Sequence, residues 1–331
     1  MEKDSKKVTS FDVARLAGVS RAAVSRAFTQ DASVSPQMRA KVHEAAKALG
    51  YRVNYLARSL NGNRSDLVGV VAAGLDNPFR SLQIEAISRA LLARNFRPIL
   101  LPTTSAADVS DVVSQVLHYS VSGVIITSDA PPTELCQECA NRGVPIVLIN
   151  KGDELPLVDR LISDDASAGQ LAATRLVTGG AQRPAVMAAV EVSYTARRRT
   201  VAFLQNCADL GVAATHLPLP RNDYASGRAA ARSLAEAGID GLFCINDYLA
   251  CGIIDQLARD WTPAQRQQFR IIGHDDIPQA AWGAYDLTTI AQPVQPQAMQ
   301  AIDLLVSRMA DPTLPARTET SAVSLILRTS G

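Results

Sequence analysis

In the stretch Thr9 to Arg26, TSFDVARLAGVSRAAVSR, helical spacing leaves Arg21, Ala22, Ser25 and Arg26 on one side while Val24 and Ala27 point to the other. Two guanidinium groups and a hydroxyl on one short helix make a row of hydrogen-bond donors suited to an anionic partner. Such a row needs a second helix to hold it. Thr9, with Asp12 three positions later, has the pattern of a capping box, and Val13, Leu16 and Ala17 recur at helical spacing as an apolar face. Gly18 ends that helix where left-handed backbone costs least, and Ser20 can cap the next one. Two helices joined by a short Gly-containing turn form a helix-turn-helix unit, whose second helix enters the DNA major groove. The same spacing also describes a helical hairpin with a solvated basic face, and spacing alone leaves both readings open.

Elsewhere the chain offers little reactive chemistry. The four histidines, His43, His118, His216 and His274, are scattered, and no GxSxG, P-loop or GxGxxG stands between a strand and a helix. Of the five cysteines, only Cys136 and Cys139 form a CxxC, with no second pair at zinc-finger spacing. They read as consecutive turns of a surface helix and, with Cys207, Cys244 and Cys251, as reduced structural thiols. No catalytic residue, metal site or cofactor is expected.

The net charge of +1 over 331 residues conceals an asymmetry. Residues 1–66 carry 12 Lys/Arg against 6 Asp/Glu, while residues 67–331 carry 21 against 26. A small basic head on a larger acidic body suggests a polyanion partner for the head alone. No apolar run approaches the roughly 20 residues that span a membrane, and MEKDSKKVTSFD lacks the apolar core of a secretory signal, so a cytoplasmic protein is expected.

Taken in order, Ser35 caps and Pro36 opens a third helix whose stripe is Val42, Ala45, Ala46 and Leu49, completing a headpiece of about 50 residues, a size at which a core is marginal. Asn54 could cap a short helix through Leu60, too short to be stable alone. From Leu67 the pattern changes to apolar runs of strand length: LVGVVAA, RPILLP, GVIITS, PIVLIN, PAVMAAV, THLPLP, GLFCIN, FRIIGHDD, TTIAQP and VSLIL. Helical stretches near 78–95, 106–119, 133–142, 166–178, 195–210, 225–237, 247–259 and 294–310 alternate with them. Strands hydrophobic throughout and alternating with helices predict parallel sheets covered on both faces. Their number suits two α/β lobes in tandem, with ligands bound beyond the strands' carboxyl ends in the cleft between them.

At this point the residues amount to more than a pattern. Ala14-x-x-Ala17-Gly18-Val19-Ser20, then Val24-Ser25-Arg26, resembles the headpiece of the lactose-repressor (LacI/GalR) family of bacterial transcriptional regulators. Leu56-Ala57-Arg58-Ser59-Leu60 resembles that family's hinge helix. Asn77-Pro78-Phe79, Ile149-Asn150, Ile245-Asn246-Asp247, Gly273 to Pro278 and Leu287-Thr288-Thr289 resemble signatures of its core, and the match runs in order over residues 8–329. The resemblance implies an all-α helix-turn-helix headpiece (1–53), a hinge helix and linker (54–66) and a periplasmic-binding-protein-like α/β core (67–331). Within the core it implies lobe 1 at about 67–163 and 292–318, and lobe 2 at about 164–291 and 319–331.

It also implies functional residues. Thr9, Ser20, Arg21, Ala22, Ser25, Arg26 and Thr29 of the headpiece, with Asn54, Ala57 and Leu60 of the hinge, fall where the family meets its operator. Arg21 and Ala22 occupy base-reading positions. Arginine can pair bidentately with guanine, alanine can touch a thymine methyl, and serines suit phosphates. Leu60 falls on the leucine that wedges into the minor groove. Ala23 and Thr29 stand where the family usually has Thr and Asn, which implies an altered contact set. For a small-molecule effector the resemblance implies Asn77, Phe79, Arg80, Asn150, Arg199, Tyr224, Asn246, Asp247 and Asp275. Arg80 and His274 stand where aromatics are common, and Asn222 stands at the family's stacking position, with Tyr224 or Trp282 as substitutes. Fewer aromatics and an added arginine favour a sugar acid or sugar phosphate.

The expectation is therefore a homodimeric repressor of carbohydrate-related genes on a near-palindromic double-stranded operator, with no membrane partner. No heptad segment of the kind that makes some relatives tetramers follows the last strand before Gly331. The alternative from another class is a solute-binding receptor for a sugar transporter, against which the basic headpiece argues. An α/β enzyme stands third, for lack of a catalytic motif.

Overall fold

The computed structural model describes residues 8–28, 33–52, 65–103, 119–127, 133–152, 154–191 and 193–331. Thr29, the hinge residues Asn54, Ala57 and Leu60, and nearly all of the helix expected at 106–119 lie outside the described residues. The chain divides into two units between Ser65 and Asp66. No helix among the described residues is long and apolar enough to cross a membrane.

In the first unit, α1 (Ser10–Ala17), α2 (Arg21–Ala27) and α3 (Pro36–Ala48) start where their caps dictate. The Thr9 N–H and hydroxyl both donate to the Asp12 carboxylate, at 3.0 and 2.7 Å. Ser20 Oγ accepts from the Ala23 N–H at 3.1 Å and Ser35 Oγ from the Met38 N–H at 3.3 Å. Gly18 takes φ 62°, the left-handed conformation that ends α1 without a Cβ penalty. The core is Val13, Ala14, Ala17, Val24, Ala27, Val42, Ala45 and Ala46. Leu16, expected on the apolar face, is instead 56% exposed. A core of valines and alanines admits only a narrow stripe of α1, and Ala14 takes the inward place assigned to Leu16.

The second unit holds two six-stranded sheets. Its elements are β1 (Leu67–Ala73), α4 (Pro78–Ala93), β2 (Arg97–Thr103), β3 (Gly123–Ile126), α5 (Thr133–Asn141), β4 (Ile146–Ile149), β5 (Val158–Ser163), α6 (Asp165–Thr178), β6 (Pro184–Ala188), α7 (Tyr194–Asp209) and β7 (Thr215–Pro218). There follow α8 (Tyr224–Ala230), α9 (Leu234–Ala237), β8 (Gly241–Cys244), α10 (Asp247–Asp260), α11 (Pro263–Gln267), β9 (Arg270–Asp275), β10 (Thr288–Ala291), α12 (Val294–Ala310), β11 (Thr318–Ser321) and β12 (Ser324–Ile326). The first sheet runs β11-β5-β4-β3-β1-β2, all parallel. The second runs β12-β10-β9-β8-β6-β7, with only β12 antiparallel to its neighbour.

The chain crosses between lobes three times: after Ser163, between Ala291 and Val294, and between Ser321 and Ser324. Helix α12 follows the second crossing and packs Ala298, Ala301, Ile302, Leu304 and Leu305 into the first lobe's core. Strand β11 belongs to the first sheet, so that lobe runs on to Ser321 instead of ending near 318. Strands β5 and β11 are the two that apolar patterning does not reveal. Asp159 and Arg160 interrupt the first, and the second reads TETS. Asp159 is fully buried between Arg308 of α12, at 2.7 Å, and Arg317, at 3.0 Å. Arg160 meets Glu154 at 2.5 Å and Thr318 at 3.0 Å.

All five cysteines are buried, and none forms a disulfide. Burial pushes the thiols of Cys139 and Cys207 up to about 11 and that of Cys251 up to about 12, so little reactive thiolate forms near neutrality. Iodoacetamide at pH 8 is expected to label the native protein slowly and all five thiols only after denaturant is added. Rapid native labelling of Cys136 or Cys139 would contradict a structural role.

Candidate functional site

Two surfaces collect the polar residues that packing does not use. On α2, Arg21, Ala22, Ser25 and Arg26 are all exposed, while Ala23, Val24 and Ala27 are buried. Thr9 and Ser20 are exposed at the helix starts, where their side chains serve as caps. The departure at Ala23 thus lies on the inner side of the helix.

The second surface is the cleft between the lobes, a cavity of about 970 Å³. Every wall comes from the carboxyl end of a parallel strand, as expected for open α/β sheets. Strand β1 delivers Gly74 to Asn77 and then Phe79, Arg80 and Gln83 of α4; β4 delivers Asn150 and Lys151. From the second lobe, β6 leads to Ser193, Thr195, Ala196 and Arg199, β7 to Asn222, β8 to Asn246 and Tyr248, β9 to Asp275, and β10 to Gln292.

Local geometry fixes most of these side chains. Asn77 caps α4 by accepting from the Phe79 N–H at 2.9 Å, and Phe79 reaches across into the second lobe's core. Arg80 Nη1 donates to the Ala73 carbonyl at 2.8 Å. Asn150, at φ 60°, accepts from the Ser163 N–H at 2.8 Å. Arg199 is buried, its Nε donating to Asp165 at 2.7 Å and its Nη1 to the Ile245 carbonyl at 3.1 Å. Helices α6 and α7 approach closely enough for this because residue 169 is glycine: a Cβ there would lie 2.6 Å from the Arg199 carbonyl.

Asp275, at φ 117°, is held by its neighbours. His274 Nδ1 lies 2.8 Å from its Oδ1, and Gln292 Nε2 donates to the same oxygen at 2.8 Å. Burial, reinforced by the charge of Arg199, lowers the His274 pKa, so the ring is neutral at pH 7 and its Nδ1–H donates to the carboxylate. The Gln292 carbonyl in turn accepts from Ser163 and Gln297, at the first and second crossings. Asn246 caps α10 by accepting from the Leu249 N–H at 2.8 Å and donates to the Asn222 carbonyl at 3.0 Å.

Of the effector residues that the resemblance implies, Asn77, Phe79, Arg80, Asn150, Arg199, Asn246 and Asp275 therefore meet around one cavity. Tyr224 and Asp247 do not. Tyr224 donates its hydroxyl to Asp255 at 2.6 Å, with its ring 5.9 Å from that of Tyr248. Asp247 is fully buried beneath the cleft, accepting from Thr289 Oγ1 at 2.6 Å and the Ile277 N–H at 2.9 Å. Burial, then the charge of Asp275, raises its pKa well above the ordinary value, and its bonds to Thr289 and Ile277 make it a structural tie. Trp282 is 55% exposed, beside Tyr285 and away from the cavity. The aromatic ring that lines the second-lobe wall is Tyr248, in the first turn after β8, and Gln83, Lys151 and Gln292 are further wall residues that motif matching passes over. Their shared signal is position just beyond a strand's carboxyl end or within the following helix.

Residues 11–54 match the bacterial regulatory proteins of the lacI family, and residues 65–272 match the periplasmic binding proteins and sugar-binding domain of the LacI family. A transcriptional regulator in the aml 5′ region of Streptomyces limosus is 30% identical, over 93% of this chain and 90% of its own. The ribose operon repressor of Escherichia coli K12 is 29% identical, over 92% of this chain and 94% of its own. The sucrose operon repressor of Pediococcus pentosaceus is 28% identical, over 91% and 92%. Among solved structures, the lac repressor dimer bound to operator and the anti-inducer ONPF has a TM-score of 0.85 at 25% identity, covering 98% of this chain and 99% of that one. With both regions matched and both surfaces in place, the chain belongs to the LacI family and is a DNA-binding transcriptional regulator, a member of a non-enzymatic family.

Proposed function

We propose that this regulator is a dimeric repressor of carbohydrate-related genes, controlled by an acidic sugar derivative in the interlobe cleft. The observation that carries the reading is the composition of that cavity. Asp275 and Asn246 on the second-lobe wall offer a carboxylate and an amide suited to hydroxyl groups, while Arg80 and Lys151 stand on the first-lobe wall. On the second-lobe wall Arg199 and Arg221 each have a carboxylate at 2.7 Å, Asp165 and Asp223. Resemblance along nearly the whole chain to ribose and sucrose operon repressors supports a carbohydrate ligand.

In this reading the headpiece spans 1–53 and the hinge 54–66. Two headpieces face the half-sites of a near-palindromic operator, because a two-fold protein imposes a two-fold site. Arg21 pairs with a guanine, Ala22 meets a thymine methyl, Ser20, Ser25 and Arg26 hold the backbone, and Leu60 wedges the central step. The ligand acts only through its unequal affinity for two arrangements of the lobes.

Calorimetric titration over matched neutral sugars, sugar acids and sugar phosphates tests the proposal. The charge-assisted contact is worth roughly 1.5–3 kcal/mol, so the acid or phosphate should bind roughly ten- to a hundredfold tighter than the neutral parent. A neutral hexose that binds better than its acid overturns the ligand class. Operator affinity should fall by roughly 0.9 log units per log unit of salt for each phosphate neutralised, and a flat response would sink the proposed backbone contacts.

A further inference from the structure

Phe11 stands on the first turn of α1 with 58% of its surface exposed, outside the headpiece core of valines and alanines. Folding therefore gives no reason for a phenyl ring at this position. Arg21 stands at the first position of α2, where unsatisfied N–H groups and the helix dipole disfavour a cation. No carboxylate pairs with it among the described residues. What it does touch is Phe11: the guanidinium lies 4.8 Å from the ring centroid.

The kind of contact matters more than its strength. An arginine paired with a carboxylate gives up its forked donors, the same atoms that a guanine edge requires. An arginine held over a ring spends no N–H donor on a carboxylate, so its forked donors stay available. The ring also removes part of the rotamer freedom that a long exposed side chain would otherwise lose on binding. An exposed ring beneath an otherwise unpaired arginine is thus a means of aiming donors without using them.

We infer that Phe11 is a positioning residue for operator reading, a shelf that sets the Arg21 guanidinium in its base-reading attitude. It acts on the sequence preference at one base pair per half-site, through Arg21. This rests on the proposed pairing of Arg21 with a guanine, and the test separates the two.

The full-length protein is used to select operators from random-sequence duplex DNA. Affinity is then measured for the selected duplex and for one carrying adenine in place of the guanine whose preference Arg21→Ala abolishes. Phe11→Leu is expected to reduce the guanine-over-adenine discrimination by roughly two- to fivefold per half-site, the range for an exposed cation–π pair. Phe11→Tyr should retain it. In an Arg21→Ala background Phe11→Leu should change nothing further, since contacting residues reveal their coupling in such a cycle. Salt dependence, a measure of phosphate contacts, should be the same in wild type and Phe11→Leu. Wild-type discrimination in Phe11→Leu overturns the inference. So does a loss that persists in the Arg21→Ala background, which would make the ring a direct DNA contact. An Arg21→Ala protein that keeps every base preference overturns the assignment of Arg21, and the shelf with it.

Discussion

Arg199→Met is expected to destabilise the core unit by about 3–5 kcal/mol, the range for removing one partner of a buried ion pair. Asp165 is fully buried, and one of its oxygens, Oδ2, already has no hydrogen-bond partner. Without Arg199 its nearest cation is Arg198, 3.9 Å away with a side chain 43% exposed, too distant and too solvated to substitute. Urea denaturation measures the loss. The double variant Asp165→Leu, Arg199→Met should recover most of it, because a well-packed apolar pair carries no desolvation cost. A single variant within about 0.5 kcal/mol of wild type would show that the pair contributes nothing. The consequence for function is direct. Arg199 also lines the cavity, so its contribution to ligand affinity is measured by comparing wild type with the stable double variant and not with the destabilised single one.

Asp159→Ala should be comparably severe, by about 3–5 kcal/mol. It strands Arg308, which is 2% exposed, and removes the carboxylate that receives both the Arg317 side chain and its backbone N–H, the latter at 2.9 Å. Arg308 keeps the Leu314 and Pro315 carbonyls as acceptors, which satisfy its donors but not its charge. Burial alone would raise the Asp159 pKa, but the hydrogen bonds from Arg308 and Arg317 outweigh it and hold the carboxyl below the usual range. The stabilisation is therefore fully present above the unfolded value of roughly 3.9 and is lost as pH falls through the lower folded value. Wild-type stability should drop in that acid window. Asp159→Ala should lack this component of the slope, and an unchanged acid limb would count against the ion-pair account.

These two pairs mark where the sequence is legible and where it is not. The headpiece helices are readable because each start is written locally: Thr9 with Asp12, Ser20, and Ser35 before Pro36. Strands such as Leu67–Ala73 and Gly123–Ile126 are readable because both faces are covered and every residue is apolar or small. Strand β5 is not, because its Asp159 is satisfied by arginines some 150 residues further on, a pairing that only the assembled fold displays. Leu16 fails for a related reason: helical periodicity gives the angle of a face but not the width of the stripe that a small core can cover. At the cleft, matching motifs brings Asn77, Asn150, Arg199, Asn246 and Asp275 to one cavity. It misplaces Tyr224 and Asp247, whose partners Asp255, Thr289 and Ile277 come from other elements. A residue type at a matching position does not specify which way the side chain turns.

The three crossings between lobes also set a timetable for synthesis. The first lobe's strands β1 to β5 leave the ribosome early, but α12 and β11, which cover and edge that sheet, follow only after the whole second sheet except β12. At translation rates of about 5–20 residues per second, the interval between Ser163 and Val294 lasts roughly seven to twenty-five seconds. Throughout it Asp159 has neither arginine, and the apolar floor of the first sheet lacks α12. The later lobe can close first and the earlier one must wait. Nascent chains of this regulator should therefore need their longest protection at residues 67–163, and the Arg317–Asp159 pair that locks the first lobe can form only when the chain is almost complete.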